Sequence, residues 1–232
     1  MKRLIAYCLL ASFFSLGVVK ADKLYVFVPS DMRAKVLQDK ITSLCKDAEV
    51  TVFGRVKDFT KRVKSEPPHA IIALSPVIES NPSFKKLLQG VNDEGTIKEP
   101  YLLVAVDQAV DAASLGNKKI GVVDILGRKS MKKYLADNLS PDVKMKSVTK
   151  VEDLLPLLTF KAVDAIFVSE SIFEKLKEKT ELNLQVTKLE ATVGLVSTAL
   201  ANEQARAKFT ECVNAFSADI NAAMGVEKWK NL

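Results

Sequence analysis

The chain has 232 residues, 48% of them hydrophobic and 27% charged, which is length and apolar content enough for one large domain or two small lobes. Its formal charge is +6, but Lys2, Arg3 and Lys20 lie in a leader-like segment, and without them the charge is +3. The charges of both signs are interleaved with no basic block, so composition argues against nucleic acid as a partner.

Lys2 and Arg3 precede an unbroken apolar stretch from Leu4 to Val19, and Val19-Lys20-Ala21 supplies tolerated residues at a cleavage site. This is the pattern of a secretory signal peptide over residues 1–21, cut after Ala21, and the stretch is shorter than the roughly 20 residues of a membrane-spanning helix. Cleavage leaves 211 residues with two cysteines, Cys45 and Cys212, on predicted helices near opposite ends. An oxidising compartment allows a disulfide between them, and a buried thiol on each helix is equally compatible with the sequence.

Leu24–Val28, Val50–Phe53 and Ala70–Leu74 are short apolar runs. Between the first two, Ala34, Leu37, Ile41 and Leu44 recur at helical spacing; Phe59 and Val63 repeat the pattern before Pro67-Pro68. The result is a β-α-β-α-β unit, and continuous apolar strands alternating with helices predict parallel sheets covered on both faces. Tyr101–Val106 then leads through a loop at Asp107–Gly116 to a second set: Ile120–Val123, a helix over Ser130–Leu139, Val143–Val148, a helix over Glu152–Leu158, Val163–Val168 and a helix over Ser171–Lys179. Leu184–Leu189 and Val193–Ser197 read as the return connection. Asn202–Met224 reads as one long helix with Phe209, Val213, Phe216 and Ile220 on a single face, packed on the first lobe and closed by Trp229. The expected fold class is therefore α/β, with two doubly wound lobes joined by a two-segment hinge: lobe 1 from residues 22–112 plus 192–232 and lobe 2 from 113–191. The chain crosses near Asp107 and Ala191.

Taken together, the leader, the β-α-β-α-β start, the YLLVAV crossover, ASLGNKKIGVVDILGRKS, FKAVDAIFVSESIFEKL and TVGLVSTAL before the terminal helix resemble a type II periplasmic solute-binding protein of ABC transporters, closest in style to the phosphate- and phosphonate-binding group. The resemblance implies a monomeric periplasmic receptor. Its two lobes would close over a small anionic or polar solute and deliver it to a membrane permease, or report it to a sensor protein. In the phosphonate-binding group the turn opening the second lobe holds the phosphonate oxygens with hydroxyl residues; here Asp124 and Ser130 match, while Gly127, Arg128 and Lys129 replace further hydroxyls.

Ligands of open parallel sheets sit beyond the carboxyl ends of strands, where loops meet helix starts. Four turns qualify: Pro29-Ser30-Asp31, Ser75-Pro76, Asp124 to Ser130, and Ser169-Glu170-Ser171. Ser30, Ser75 and Ser169 can either cap helices or bond a ligand. Arg128, at the start of a helix near Ser130, and Arg55, past the second strand, are either anion partners or part of a solvated face. The candidate ligand-binding set is thus Ser30, Asp31, Arg55, Ser75, Asp124, Arg128, Ser130, Ser169 and Glu170. The sole histidine, His69, follows Pro67-Pro68 and reads as a surface turn residue. The sequence offers no nucleophile paired with a base, metal spacing or phosphate loop, so the reading assigns no catalytic residue, metal or cofactor. Some transferases and dehydratases resemble the same bilobal architecture, which keeps an enzyme as the alternative.

Overall fold

A computed structural model describes residues 21–232, so the expected signal peptide lies, but for Ala21, outside the described residues. The first apolar runs form β1 (Asp22–Phe27), β2 (Ala48–Val52) and β3 (Ala70–Leu74), with α1 (Ala34–Leu44) and α2 (Val56–Ser65) between them and α3 (Ser75–Glu79) after β3. There follow β4 (Lys85–Val91), β5 (Lys98–Val106), β6 (Lys119–Val123), α4 (Arg128–Asn138), β7 (Lys144–Val148), α5 (Leu154–Thr159), β8 (Ala165–Ser169) and α6 (Glu170–Lys177). The chain ends with β9 (Leu184–Gly194), β10 (Val196–Leu200), α7 (Arg206–Asn214), α8 (Ala218–Ala223) and β11 (Lys228–Asn231). Among the described residues, no helix is long and apolar enough to cross a membrane.

Two sheets result, ordered β11-β4-β10-β3-β1-β2 and β7-β6-β8-β5-β9. The β2-β1-β3 and β7-β6-β8 ladders are parallel, as the apolar runs predict, but both sheets are mixed. In the first, β10 runs antiparallel to β3 and β4; in the second, β5 runs antiparallel to β8 and β9. The expectation of wholly parallel sheets is corrected by these strands, which enter each sheet from the opposite lobe and so arrive reversed. Sheet membership divides the chain at 92–97 and at Leu195. Tyr101–Val106, the apolar run expected to lead between the lobes, is part of a strand of the second sheet that is flanked on both sides.

One core of the first lobe joins Leu37 and Ile41 of α1 to Phe209, Val213, Phe216 and Ile220. All four are buried as expected, but Phe209 and Val213 lie on α7, Ile220 on α8 and Phe216 in the connection between them, because Ser217 is extended and starts α8 afresh. Full burial of residues such as Phe209 and Ile220 contributes about 1.5–3 kcal/mol each. Trp229 meets Phe216 edge-on at 6.3 Å and its Nε1 donates to Asn221 Oδ1 at 3.0 Å. Cys45, closing α1, is disulfide-bonded to Cys212 of α7 with Cα atoms 5.0 Å apart, which settles the pairing the sequence left open. A second core runs through both lobes, from Tyr25, Phe27 and Ile71 to Leu103, Ile120 and Phe167.

Candidate functional site

The carboxyl ends of β1, β2 and β3 face those of β6, β7 and β8, as a two-lobed doubly wound fold dictates. At the centre of this junction the lobes meet on apolar side chains. Leu74 and Pro29 from one side and Ile125, Met131, Ile172 and Tyr101 from the other leave a space of only about 30 Å³. Tyr101 stacks on Phe167 with centroids 4.0 Å apart and accepts a hydrogen bond from Tyr134 Oη at 3.1 Å; burial, then the neighbouring Tyr134, pushes its phenol well above the usual range.

Beside this seam lies a cavity of about 300 Å³, built by the β1–α1 and β2–α2 turns of one lobe and the ends of β6 and β7 in the other. Val123 borders both spaces. The cavity floor is Phe27, Val28, Leu37, Val52, Phe53 and Val151, and its rim carries Arg33, Arg55, Thr149, Lys150 and Glu152 with Ser30 and Asp31.

The lobes are also tied by charge at Asp31 of the cavity rim. Lys179 Nζ donates to Asp31 Oδ2 at 3.0 Å, Lys175 Nζ lies 4.0 Å from Asp31, and Lys175 also donates to the Ala222 carbonyl at 2.6 Å. Burial alone would raise the Asp31 carboxyl, but the Lys179 hydrogen bond and the charges of Lys175 and Lys179 outweigh it and hold the group below its ordinary value. Lys175 is shifted down, chiefly by burial.

Of the sequence candidates, the cavity brings together Ser30, Asp31 and Arg55. Ser30 Oγ accepts from Met32 N at 3.1 Å in a local turn, and Arg55 Nε donates to Asp58 at 2.7 Å, while its terminal nitrogens make no hydrogen bond among the described residues. Ser169 borders the central seam, with its Oγ 3.4 Å from that of Ser171. Ser75 is buried at the crossing, where it donates to the Leu195 carbonyl at 3.3 Å and accepts from Lys86 at 3.1 Å. None of the three serines caps a helix through its side chain. Glu170 is exposed and pairs with Lys188 at 3.8 Å.

Asp124, Arg128 and Ser130 line neither space. The helix expected from Ser130 starts two residues earlier, at Arg128, because Gly127 takes φ 83° and ends the turn there. Asp124 Oδ1 already accepts the N–H groups of Leu126 and Gly127, while Arg128, Lys129 and Ser130 are exposed. His69 stands at the far end of β3 from the junction, where its Nδ1 accepts from Lys23 N at 2.9 Å.

The sequence reading missed Arg33, Phe53, Thr149 and Lys150. Thr149 and Lys150 follow a strand that was legible, so counting every strand end would have found them. It also missed Glu99, 6% exposed, whose two oxygens accept from Ser171 N at 2.8 Å and Ser171 Oγ at 3.0 Å and so cap α6 from another strand. Among the described residues, no cluster of three or more His, Cys, Asp or Glu could hold a metal.

No protein-family model matches this chain, and no curated protein matches its sequence. Solved structures do match. A binding-protein component of an ABC phosphonate transporter from Pseudomonas aeruginosa superposes with a TM-score of 0.64 at 15% identity, over 92% of this chain and 82% of that one. The VFT2 domain of Bordetella pertussis BvgS gives 0.58 at 11% identity, over 88% and 91%. The substrate-binding protein of an amino acid ABC transporter gives 0.56 at 15% identity, over 82% and 89%. The likeness is one of fold: the chain has the two-lobed α/β architecture of type II periplasmic binding proteins.

Proposed function

We propose that the chain is an exported solute receptor whose lobes close over a small anionic solute and which serves an ABC permease. The observation that carries the reading is a cavity walled by strand ends of both lobes, in a fold whose chain crosses between the halves at residues 92–97 and Leu195. On this reading the lobes are residues 21–91 plus 196–232 and 98–194, and the expected boundaries shift to the sheet crossings. Arg33, Arg55 and Lys150 at the rim favour negative charge in the solute. The leader-like segment and the Cys45–Cys212 bond support export into an oxidising compartment. The sole histidine and both cysteines of the mature chain have structural partners, which favours binding over catalysis.

The test is thermal unfolding of the secreted protein against phosphate, phosphonates, sulfate, carboxylates and amino acids, followed by solution scattering with any compound that raises the midpoint. A receptor gains several degrees with one solute class, and its scattering profile responds to that solute. Chemical conversion of the bound compound would move the assignment to an enzyme.

A further inference from the structure

The two spaces at the lobe junction differ in what they can hold. The central one, at about 30 Å³, has room for about one water molecule. The flanking cavity, at about 300 Å³, is at the lower end of the sizes that hold small-molecule ligands. Its floor is aliphatic and aromatic, from Phe27 and Leu37 to Phe53 and Val151, and a hydrated inorganic anion seated there would lose water without gaining donors. Its rim is cationic. Arg33, Arg55 and Lys150 face two carboxylates, and of these Asp31 is turned to Lys179, while Glu152 lies 3.6 Å from Lys150. Arg33 has no ion-pair or hydrogen-bond partner for its guanidinium among the described residues. A neutral apolar guest would cover the floor and leave that cation unanswered.

We infer that this flanking cavity, rather than the central seam, takes the solute, and that the solute is an organic anion: one carboxylate, sulfonate or phosphate-monoester group on an apolar body of ring size. The anionic group meets Arg33, with Arg55 and Lys150 beside it. The body lies on Phe27, Leu37, Phe53 and Val151, where each buried methylene contributes to affinity. The inference rests on the receptor reading above and adds to it the position and chemical class of the solute.

Titration calorimetry on the secreted full chain tests it with three probes: naphthalene-2-sulfonate, neutral 2-naphthol and inorganic sulfate. The sulfonate is expected to bind saturably at one site, 2-naphthol about tenfold or more weaker, and sulfate not at all at the same concentrations. Arg33→Gln should weaken the sulfonate about tenfold to a hundredfold, as loss of a charge-assisted hydrogen bond does. Thr149→Trp, an exposed rim position, should block the cavity and abolish binding, whereas Met131→Leu at the central seam should leave affinity unchanged. Sulfate binding as tightly as the sulfonate, or full sulfonate affinity in both Arg33→Gln and Thr149→Trp, overturns the inference. A solute from the thermal screen that alters scattering yet is indifferent to both variants defeats the inference and leaves the receptor reading standing. Sulfonate binding lost in both variants, with no scattering response to any bound compound, supports the cavity and defeats lobe closure.

Discussion

The Cys45–Cys212 bond makes the sharpest stability prediction. It links the end of α1 to α7, so it ties the N-terminal and C-terminal portions of the first lobe together across 167 residues that include the whole second lobe. Loop-closure entropy for a segment of that length is about 5 kcal/mol, and native disulfides typically deliver about 2–4 kcal/mol. The estimate is insensitive to whether the second lobe unfolds with the first, since halving the effective loop changes it by only about 0.6 kcal/mol. Both sulfurs are buried, at 4% and 5% residue exposure, so the double variant Cys45→Ala/Cys212→Ala loses a little packing as well. We expect it to unfold with about 2–4 kcal/mol less stability, roughly 5–15 °C in midpoint for a chain of this size. Guanidinium titration read at Trp229, which packs in the same lobe, measures the loss directly. Each single variant should fall as far as the double one. A loss under about 1 kcal/mol, or two thiols titrating in unreduced secreted protein, would refute the reasoning.

Burial, opposed in part by the Ser171 hydrogen bonds, raises the Glu99 carboxyl; the native state therefore holds its proton more tightly than the unfolded chain. That contribution is full below the unfolded value of about 4.3 and is lost as pH rises through the native one, so the midpoint of Glu99→Gln relative to wild type should climb with pH; a constant difference counts against it. Gly194→Ala places a Cβ 2.5 Å from Ser75 Oγ and 2.6 Å from Ser75 Cβ at the crossing between lobes, and should cost about 1–3 kcal/mol in denaturant titration; wild-type stability would show the crossing to be slack. Thr198→Val removes a buried hydroxyl that has no hydrogen-bond partner, so calorimetric unfolding should show a gain on the order of 1 kcal/mol, and a loss would mean the hydroxyl is satisfied.

The inner parallel strands β1, β3, β6 and β8 were legible because a strand buried on both faces is largely apolar: Ala70–Leu74 has the same bounds in sequence and structure. The antiparallel strands were hidden for two physical reasons. In Lys85–Val91 the polar Gln89 interrupts the run, yet Gln89 is buried, its Nε2 donating to the carbonyls of Gly90 and Leu195 and its Oε1 accepting from Ser197 Oγ at 2.7 Å. A side chain that satisfies a backbone carbonyl 106 residues away, at the crossing between lobes, has no local signature. In Leu184–Gly194 the residues alternate partly buried with exposed, because this is an edge strand covered on one face, and its charged half resembles a loop.

The candidate site was legible only as strand ends, and the reason lies in charge pairing between the lobes. The sequence places Ser30 and Asp31 at a strand end, and both border the cavity, but it cannot tell that α6 brings Lys175 and Lys179 across to claim the Asp31 carboxylate. That cross-lobe pairing is itself worth little where it is partly exposed, typically up to about 1 kcal/mol. With Asp31 held toward α6, the cations Arg33, Arg55 and Lys150 outnumber the carboxylates left at the cavity rim. A single turn, such as the one before α4 that carries Arg128 and Ser130, holds no mark of that cross-lobe pairing.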